Sequence, residues 1–371
     1  MGNSDSSNLD QNLADSQQKA FLYQEALALL KDLISTPSFS REEHQTADII
    51  NDFLVKHGVT TLRQLNNVWA FNQHFNPALP TVLLNSHHDT VKPNQGWTKN
   101  PFVPLEEDGK LFGLGSNDAG GCLVSLIAAF LFFYPQKKLA YNLVLAATAE
   151  EEISGRNGIE LIWRELGDIA FAIVGEPTQM QMAIAEKGLL VLDCVATGKA
   201  GHAAREEGDN AIYKAMTDIN WFQTYVFPKV SEFLGPVKMI VTIIQAGTQH
   251  NVVPDRCSFT VDVRVTDSYS NEEVVEIIKQ QVQSEVKPRS VRLRSSSISK
   301  NSPIVQAGLA LGRETYGSPT TSDQALIPVP SLKMGPGDSA RSHTADEFIY
   351  LHELEEAIQL YIQLLGQVVY Q

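Results

Sequence analysis

The stretch 81–91, TVLLNSHHDTV, decides the fold, because a short buried strand in it runs directly into polar residues. A continuous apolar run of strand length that is bounded by polar residues is typical of a strand buried on both faces of a sheet. The stretches 142–152, NLVLAATAEEE, and 171–177, FAIVGEP, repeat this pattern, and 120–133 has the composition of a buried helix. This alternation of strands and helices predicts an α/β domain with a mostly parallel sheet.

The pattern changes in the middle of the chain, where the predicted elements follow the order βαββαβ. These elements are Leu189–Thr197, Asn210–Tyr225, Lys238–Ala246, Cys257–Thr266, Asn271–Val286 and Val291–Ser296. The order is that of a ferredoxin-like domain, here inserted into the first domain. We therefore predict a polar, disordered leader at 1–19, a metal-binding catalytic domain made of 20–186 and 298–371, and an inserted domain at 187–297.

Composition argues against several classes of function. The net charge of −14 is unsuited to a nucleic-acid surface, since a phosphate backbone requires clustered Lys and Arg. No uninterrupted apolar run approaches the roughly 20 residues of a membrane-spanning helix, and the first residues are polar, so we expect a cytoplasmic protein with no membrane association. The cysteines Cys122, Cys194 and Cys257 lie far apart, which argues against a disulfide framework and a cysteine metal site.

Histidine and carboxylate side chains follow several of the predicted strands. In open α/β sheets the carboxyl ends of the strands form the ligand-binding edge, so we expect these side chains to meet there. His, Asp and Glu from several strand ends form the ligand set of zinc, cobalt or manganese, and paired hydrolytic metals commonly share a carboxylate. Each motif alone is more often an exposed surface feature, and only their joint occurrence favours a metal site.

Five motifs resemble those of the M20 family of metallopeptidases and deacylases, and the resemblance extends over nearly the whole chain after the leader. They are SHHDTV at 86–91, GLGSNDAGG at 113–121, TAEEE at 148–152, VGEPT at 174–178 and GPGDSARSH at 335–343. The resemblance implies a catalytic domain of zinc-peptidase type. It also implies that the inserted domain is a lid, which in many members of the family is the dimerisation domain.

The resemblance further implies two divalent metal ions, with Zn²⁺ in first place and Co²⁺ as an alternative. One ion would be held by His87, Asp118 and Glu176, and the other by Asp118, Glu152 and His343. The three carboxylates do not fully neutralise two divalent cations. The site could therefore polarise an amide carbonyl and acidify a water molecule.

Two further residues are implied to act beside the metals. Strand parity favours His87 over His88 as the ligand, because residues two apart point to the same side of a strand and His87 then lies beside Asp89. Asp89 would fix the tautomer of His87 through its second ring nitrogen. Glu151 is the candidate general base that takes a proton from the attacking water. Glu150 stands where the family has Asp, so the register of the three consecutive glutamates stays open by one residue.

The inserted domain contributes candidate substrate contacts. His202 resembles the family histidine that hydrogen-bonds the oxyanion, in its own subunit or across a dimer; without the resemblance, a turn histidine is the simpler interpretation. Asn251 and Arg264 resemble lid residues that hold a substrate carboxylate, with a turn cap and a surface salt bridge as their competing interpretations. In the catalytic domain, Gly335 and Gly337 would let the backbone approach substrate or metal closely.

The resemblance implies a homodimeric enzyme that hydrolyses the amide of a small N-acyl amino acid and releases a carboxylate and a free amino acid. N-acetyl-L-ornithine, a substrate of arginine biosynthesis, is the substrate in first place. N-acetylcitrulline, N-succinyl amino acids, acyl-lysine and dipeptides are alternatives, because specificity depends on lid contacts. A noncatalytic binding module on the same fold is the hypothesis of another class, and the presence of all five ligand positions and a base argues against it.

Overall fold

The computed structural model describes residues 3–370, with side chains from residue 15 onward. The chain forms two compact units, and each is described by itself. The first unit contains the residues up to Ile184, Ile298–Tyr316 and the residues from Ser322 onward. The second unit contains Ala185–Ser297 and Gly317–Thr321.

The second unit includes a short segment, 317–321, that the prediction assigns to the catalytic domain. Two hydrogen bonds tie this segment to Lys187. The Lys187 N–H donates to the Ser318 carbonyl at 3.2 Å, and the Thr321 hydroxyl donates to the Lys187 carbonyl at 3.3 Å. The second of these bonds joins residues 134 positions apart, which a local sequence pattern does not reveal.

Helices and strands alternate along most of the chain. The helices within residues 3–370 are α1 (Asn3–Ile34), α2 (His44–Lys56), α3 (Gly121–Phe133), α4 (Ile159–Ile162), α5 (Ala211–Thr224), α6 (Asn271–Gln281), α7 (Pro303–Ala310) and α8 (Leu351–Val369). The strands there are β1 (Leu62–Gln64), β2 (Asn67–Phe71), β3 (Thr81–His87), β4 (Leu105–Glu107), β5 (Lys110–Phe112), β6 (Asn142–Thr148), β7 (Ile169–Val174), β8 (Met182–Glu186), β9 (Gly188–Thr197), β10 (Gly201–His202), β11 (Lys238–Ala246), β12 (Val252–Val253), β13 (Arg256–Val265), β14 (Glu285–Pro288), β15 (Ser296–Ser297), β16 (Thr315–Ser318), β17 (Ser331–Lys333) and β18 (Phe348–Tyr350).

The expected disorder of the leader differs from the structure at residues 3–19, which belong to α1. No glycine or proline interrupts α1, and the Ala, Leu, Gln and Lys residues of the leader have high helix propensity. The amphipathic part of the helix, from Ala20 onward, packs Leu22, Ala26 and Leu30 into the core. Helix extension from this packed part costs little, because each added residue gains one hydrogen bond. Residues 1 and 2 lie outside the described residues.

The first unit is built on one twisted sheet with the strand order β1-β2-β6-β3-β7-β17-β8. β3 is parallel to both β6 and β7, β17 is parallel to β7, and β2 is antiparallel to β1 and β6. Every residue of β3 and β6 is buried, which requires cover on both faces of the sheet. This arrangement confirms the predicted α/β fold with a mostly parallel sheet.

The most apolar helix of the first unit is α3, in which every residue is buried. By length and composition alone, the segment Ser116–Phe133 that contains it could cross a membrane. Within the protein, however, 94% of this segment is buried. Since α3 packs against α1, α8 and the central strands, it is the core helix of this unit.

The second unit is an antiparallel sheet, β11-β13-β9-β14, with α5 and α6 packed on it. Along the chain the elements follow the order β9-α5-β11-β13-α6-β14. Burial alternates along β9, so that Leu190, Leu192 and Cys194 contact the helices while their neighbours face outward. A strand that is covered on one face shows this period of two.

Two boundaries in the second unit differ from the prediction. The prediction extends the second helix to Val286 and places the last strand at 291–296, whereas α6 ends at Gln281 and β14 begins at Glu285. The carboxylate of Asp218, on α5, causes the early end, because it accepts the N–H groups of Gln283 and Ser284 at 3.1 and 2.8 Å. Those N–H groups are then unavailable to continue the helix.

Candidate active site

Histidine and carboxylate side chains meet at the carboxyl edge of the parallel strands. β3 ends on His87, β6 runs into the turn Glu151–Ile153, and β7 is followed after one residue by Glu176. Two loops add Asp118, which lies just before α3, and His343, which lies between β17 and β18. This is the edge at which open α/β sheets bind ligands.

Two sets of three side chains each bring their potential ligand atoms within 4.8 Å of one another. The first set is His87, Asp118 and Glu176, and the second is Asp118, Glu152 and His343. Asp118 belongs to both sets. Its Oδ1 lies 3.4 Å from Nε2 of His87, and its Oδ2 lies 3.6 Å from Nε2 of His343, so the carboxylate is oriented to bridge two ions.

The ring of His87 has one satisfied and one unsatisfied nitrogen. Its Nδ1 lies 3.0 Å from the backbone carbonyl oxygen of Asp89, which in the neutral ring leaves the lone pair on Nε2. Nε2 is buried and makes no hydrogen bond to any residue that the structure describes, although carboxylate oxygens of Glu151 and Glu176 lie 3.8 Å away. Burial of an unsatisfied polar atom is costly, and a metal ion at this point would satisfy it.

The protonation of the site reflects the crowding of its carboxylates. Burial by itself lowers the pKa of His87, but neighbouring carboxylates, Glu151 foremost and then Asp118, outweigh burial and raise that pKa well above its usual value. A hydrogen bond of 2.9 Å to Glu152 raises the pKa of His343 to about 9. At neutral pH and without cations His343 therefore holds a proton, and the carboxylates around both histidines favour positive charge, which metal ions would supply.

His88 is occupied by structural hydrogen bonds. Its Nδ1 lies 2.9 Å from Oγ1 of Thr46, and its Nε2 lies 2.8 Å from the carbonyl oxygen of Asn66. Burial lowers the pKa of His88 to about 4, so the ring is neutral at neutral pH. With both nitrogens engaged, His88 has no lone pair left for a metal at the position of His87.

Asp89 is fully buried and organises the turn after β6. Its carboxylate accepts the N–H of Glu151 at 3.0 Å, the N–H of Glu152 at 3.2 Å and the hydroxyl of Ser40 at 2.7 Å. The same carboxylate lies 3.4 Å from Nδ1 of His87, farther than the backbone carbonyl of Asp89 itself. Asp89 therefore fixes the position of His87 and of both glutamates at once.

The structure separates the three consecutive glutamates. Oε2 of Glu151 lies 3.8 Å from Nε2 of His87, and Oε2 of Glu152 lies 2.9 Å from Nε2 of His343. Glu150 points away from both ligand sets. Its carboxylate accepts hydrogen bonds from Asn157, at 2.8 Å from the side-chain N–H and at 3.3 Å from the backbone N–H. Burial, together with neighbouring acids, raises the pKa of Glu151 well above its usual value. The geometry thus puts Glu151 beside the site and Glu152 in a ligand set.

Two buried acids behind the site do not stand out in the sequence. Glu347 is 2% exposed and accepts three backbone N–H groups of the turn 115–118, at 2.8, 3.0 and 3.2 Å, so it holds the turn that carries Asp118. Burial and the charge of Asp118 raise the pKa of Glu347 to about 8. Asp323 accepts the hydroxyl of Thr148 at 2.7 Å, and burial raises its pKa to about 6. The only signal for Glu347 is its short spacing from the final histidine of the motif.

Both predicted glycines lie against the loops of the site. A Cβ atom on Gly335 would lie 2.6 Å from the carbonyl oxygen of Glu176 and 2.7 Å from Sγ of Cys122. Gly337 has a φ of +85°, and a Cβ atom there would overlap the side chain of Asn117. The absence of a side chain at these glycines therefore lets the segments that carry Glu176 and Asp118 pack closely against residues 335–337. Contact of either glycine with a substrate stays a prediction.

His202 and Asn251 lie together in the second unit. His202 is on β10, which pairs with β12, and the N–H of Ala203 donates to the carbonyl of Asn251 at 3.0 Å. Nδ1 of His202 accepts the N–H of Ala204 at 3.1 Å, which in the neutral ring places the proton on Nε2. His202 can therefore act as a hydrogen-bond donor through Nε2.

Arg264 forms a salt bridge within its own strand. Its guanidinium donates to both carboxylate oxygens of Asp262, at 2.8 and 3.1 Å, which is the competing interpretation offered by the sequence. Burial and the charges of Lys238 and Arg264 lower the pKa of Lys187, so three cationic side chains lie near one another in the second unit. The role of Arg264 toward a substrate stays a prediction.

Comparison with known proteins agrees with this geometry. Residues 83–367 match Peptidase family M20/M25/M40. The chain belongs to this family. Among M20 relatives, the acetylornithine deacetylase of Proteus mirabilis (strain HI4320) is 27% identical over 91% of this chain and 95% of its own length. The succinyl-diaminopimelate desuccinylase of Rickettsia bellii (strain RML369-C) is 25% identical over the same shares, 91% and 95%.

The M20 fold is also evident among solved structures. Aminopeptidase PepT from Bacillus cereus superposes with a TM-score of 0.74 over 93% of this chain and 98% of its own, at 17% identity. As a member of the M20 family, the chain is an enzyme, a metal-dependent hydrolase of acyl amino acids or peptides that acts on amide bonds.

Proposed function

We propose that this chain hydrolyses the amide of a small N-acyl amino acid at a site that holds two divalent cations. The observation that carries the proposal is the pair of ligand sets that share Asp118, whose two oxygens face His87 and His343. A carboxylate shared between two ions is common in hydrolytic dimetal sites. His87, Asp118 and Glu176 would hold one cation, and Asp118, Glu152 and His343 the other.

The donor atoms favour zinc. Imidazole nitrogens combined with carboxylate oxygens suit Zn²⁺, and Co²⁺ accepts the same set, whereas Mg²⁺ and Ca²⁺ prefer oxygen ligands. The buried Nε2 of His87 supports this choice, because it is a nitrogen donor without a hydrogen-bond partner among the described residues. Bound cations would polarise the substrate carbonyl and lower the pKa of the attacking water.

Glu151 is the proposed general base. It stands outside both ligand sets, yet its carboxylate lies 3.8 Å from Nε2 of His87, within reach of a water at the site. Burial raises the pKa of Glu151, and the positive charge of two cations would lower it again. The carboxylate could then accept a proton from the water and pass it to the leaving amine. Asp89 keeps it in position through the N–H of Glu151.

The second unit would supply substrate contacts. We propose that Nε2–H of His202, in its own subunit or from a partner, donates to the oxygen of the carbonyl as negative charge develops there. Asn251 adjoins His202, and Arg264 belongs to the cationic group around Lys187. Such a group suits the carboxylate that every N-acyl amino acid carries.

N-acetyl-L-ornithine is the substrate that we propose first, which would give the enzyme a role in arginine biosynthesis. The support is the deacetylase from Proteus mirabilis, which is similar to this chain over nearly its full length. The desuccinylase from Rickettsia bellii is similar over the same span, so a succinyl group on a diamino acid is the main alternative. The two substrates differ in the acyl group and in the number of carboxylates, which a kinetic comparison resolves.

We also propose a homodimer formed through the second unit. β11 is an edge strand of its sheet, and its Ile240, Ile243 and Ile244 are 51%, 50% and 52% exposed. An apolar edge strand pairs readily with a second copy of itself. Light scattering should give a dimer for the native chain and a monomer for Ile243→Lys.

We further propose that the protein is cytoplasmic. The three described cysteines are free thiols, which suits a reducing compartment.

The decisive experiment measures kcat/KM of the chain loaded with Zn²⁺ or Co²⁺. The substrates are N-acetyl-L-ornithine, N-acetylcitrulline, N-succinylornithine, succinyl-diaminopimelate and a dipeptide. We expect the highest value for N-acetyl-L-ornithine, its loss on chelation and its return with added metal. A preference for another compound would change the substrate alone. No hydrolysis of any compound with metals bound would favour the binding module.

A variant separates the general base from the ligands. Glu151→Gln should keep two metal ions per chain, because Glu151 lies outside both ligand sets, but should lower kcat by about 10²- to 10⁴-fold. Glu165→Gln, an exposed glutamate of the same unit, is the matched control and should leave kcat unchanged. Loss of a metal ion in Glu151→Gln would contradict its assignment as base.

A further inference from the structure

A cavity of about 420 Å³ lies in the first unit and contains none of the proposed metal ligands among its lining residues. Small-molecule sites usually measure roughly 300–1,000 Å³, so the cavity has the size of a binding site. One face of α8, the segment after α7 and the segment after β7 form its walls. The lining residues that matter below are Gln179, Arg313, Gly337, Glu356, Leu360 and Gln363.

The cavity is lined by one cation, the half-buried Arg313, and one solvent-exposed anion, Glu356, that have no ion-pair partner in the described part of the chain. Among the described residues, the buried Nε of Arg313 has no hydrogen-bond partner, and neither Arg313 nor Glu356 forms an ion pair. Glu353, in the same wall, differs because it binds Arg341 through both oxygens, at 2.7 and 3.0 Å. A buried guanidinium N–H without an acceptor is costly, which points to a ligand that supplies one.

Arg313 and Glu356 carry opposite charges and form no ion pair with each other. A guanidinium binds a carboxylate with two parallel hydrogen bonds, and a carboxylate binds an ammonium group. We propose that this cavity binds a free α-amino acid, with its carboxylate on Arg313 and its ammonium group on Glu356. The side chain of the ligand would lie along Leu360 and the amides of Gln179 and Gln363.

The wall of the cavity connects it to the candidate active site. The N–H of Gln179 donates to the carbonyl of Gly337 at 2.7 Å, and the side chain of Gln179 donates to Asp338 at 2.5 Å. This segment leads to His343, a proposed metal ligand. If the proposed function holds, the released product is itself a free amino acid, and the cavity would let the enzyme respond to it. Binding in the cavity does not depend on that function.

Isothermal titration calorimetry of the zinc-loaded full chain with L-norvaline tests the proposal, because the side chain of norvaline is uncharged. We expect saturable binding of one molecule per chain. Arg313→Met and Glu356→Gln should each weaken it by about 10- to 100-fold, the range for loss of a charge-assisted hydrogen bond. Arg164→Met and Glu355→Gln, exposed residues of the same unit, are matched controls and should bind norvaline like the native chain.

Three results would overturn the proposal. The first is the absence of saturable norvaline binding to the native chain. The second is unchanged binding in both cavity variants, which would place norvaline outside the cavity. The third is equally tight binding of pentanoate or butylamine, each of which lacks one of the two charged groups. Thermal unfolding checks that the variants fold, and calorimetry needs no turnover, so failure of the proposed hydrolysis would be recognised separately.

Discussion

Replacement of Gly335 by Ala should displace Glu176 and weaken the first ligand set. The added Cβ atom would lie 2.6 Å from the carbonyl oxygen of Glu176 and 2.7 Å from Sγ of Cys122, whereas ordinary contacts begin at 3.4 Å. The carbonyl must therefore move by about 0.8 Å. A shift of about 1 Å at a catalytic group can cost roughly 100-fold in rate. Overpacking should also lower the free energy of unfolding by roughly 1–3 kcal/mol.

The same substitution at Gly366 in α8 provides the control. There the nearest atoms to an added Cβ lie 3.9 and 4.0 Å away, so Gly366→Ala should gain about 0.5–1 kcal/mol of helix stability. Urea unfolding of the metal-free variants measures stability, and calorimetry with Zn²⁺ measures the affinity of each site. The reasoning is refuted if Gly335→Ala keeps the native free energy of unfolding and the native affinity for both zinc ions. The loops would then accommodate the added Cβ atom without moving.

Three other outcomes are expected from the hydrogen bonds of the site. Asp89→Asn should lower the free energy of unfolding at neutral pH by about 1–3 kcal/mol, since an N–H of Glu151 or Glu152 loses a charged acceptor. Burial raises the pKa of Asp89, but the neighbouring His87 ring, 3.4 Å from the carboxylate, lowers it, and the net shift is downward. This stability is therefore lost as the pH falls through that lowered pKa, and the variant should match the native chain in urea unfolding at acid pH. His88→Gln should be less stable in urea yet keep the native zinc content, because among the described residues its ring bonds to Thr46 and Asn66 and to no metal ligand. Loss of a zinc ion would make His88 a ligand. Glu152 raises the pKa of His343 to about 9, so zinc binding at about pH 7.5 should release a proton from this histidine. Calorimetry in two buffers with different ionisation enthalpies measures the number of protons released, which should be smaller for His343→Gln.

Sequence reasoning succeeds here where the deciding contacts are local. β3 and β6 could be predicted because an apolar run between polar residues is a property of the run itself. The end of α6 could not, because Asp218, on another helix, accepts the N–H groups that would otherwise extend it. The helical leader is an intermediate case, in which the propensity of residues 3–19 is visible but their polarity argues for disorder.

The same division applies to the candidate site. The five side chains predicted as ligands follow strands or lie in motifs, and the structure brings them into two sets around Asp118. Glu347 could not be predicted, because it acts by accepting N–H groups from a turn 229 to 232 positions earlier in the chain. The pairing of Arg264 with Asp262 was open to prediction, since residues two apart share one face of a strand.

The burial of α3 has a consequence for synthesis of the chain. α8, which covers one side of α3, begins at residue 351, more than two hundred residues after α3 ends. At roughly 5–20 residues per second, α3 waits on the order of ten to forty seconds before α8 emerges from the ribosome. During that interval the nascent chain carries a segment that meets the length and composition of a membrane span while one of its covers is missing. The exposed face of α3 is therefore a site at which the unfinished chain can aggregate until α8 covers it.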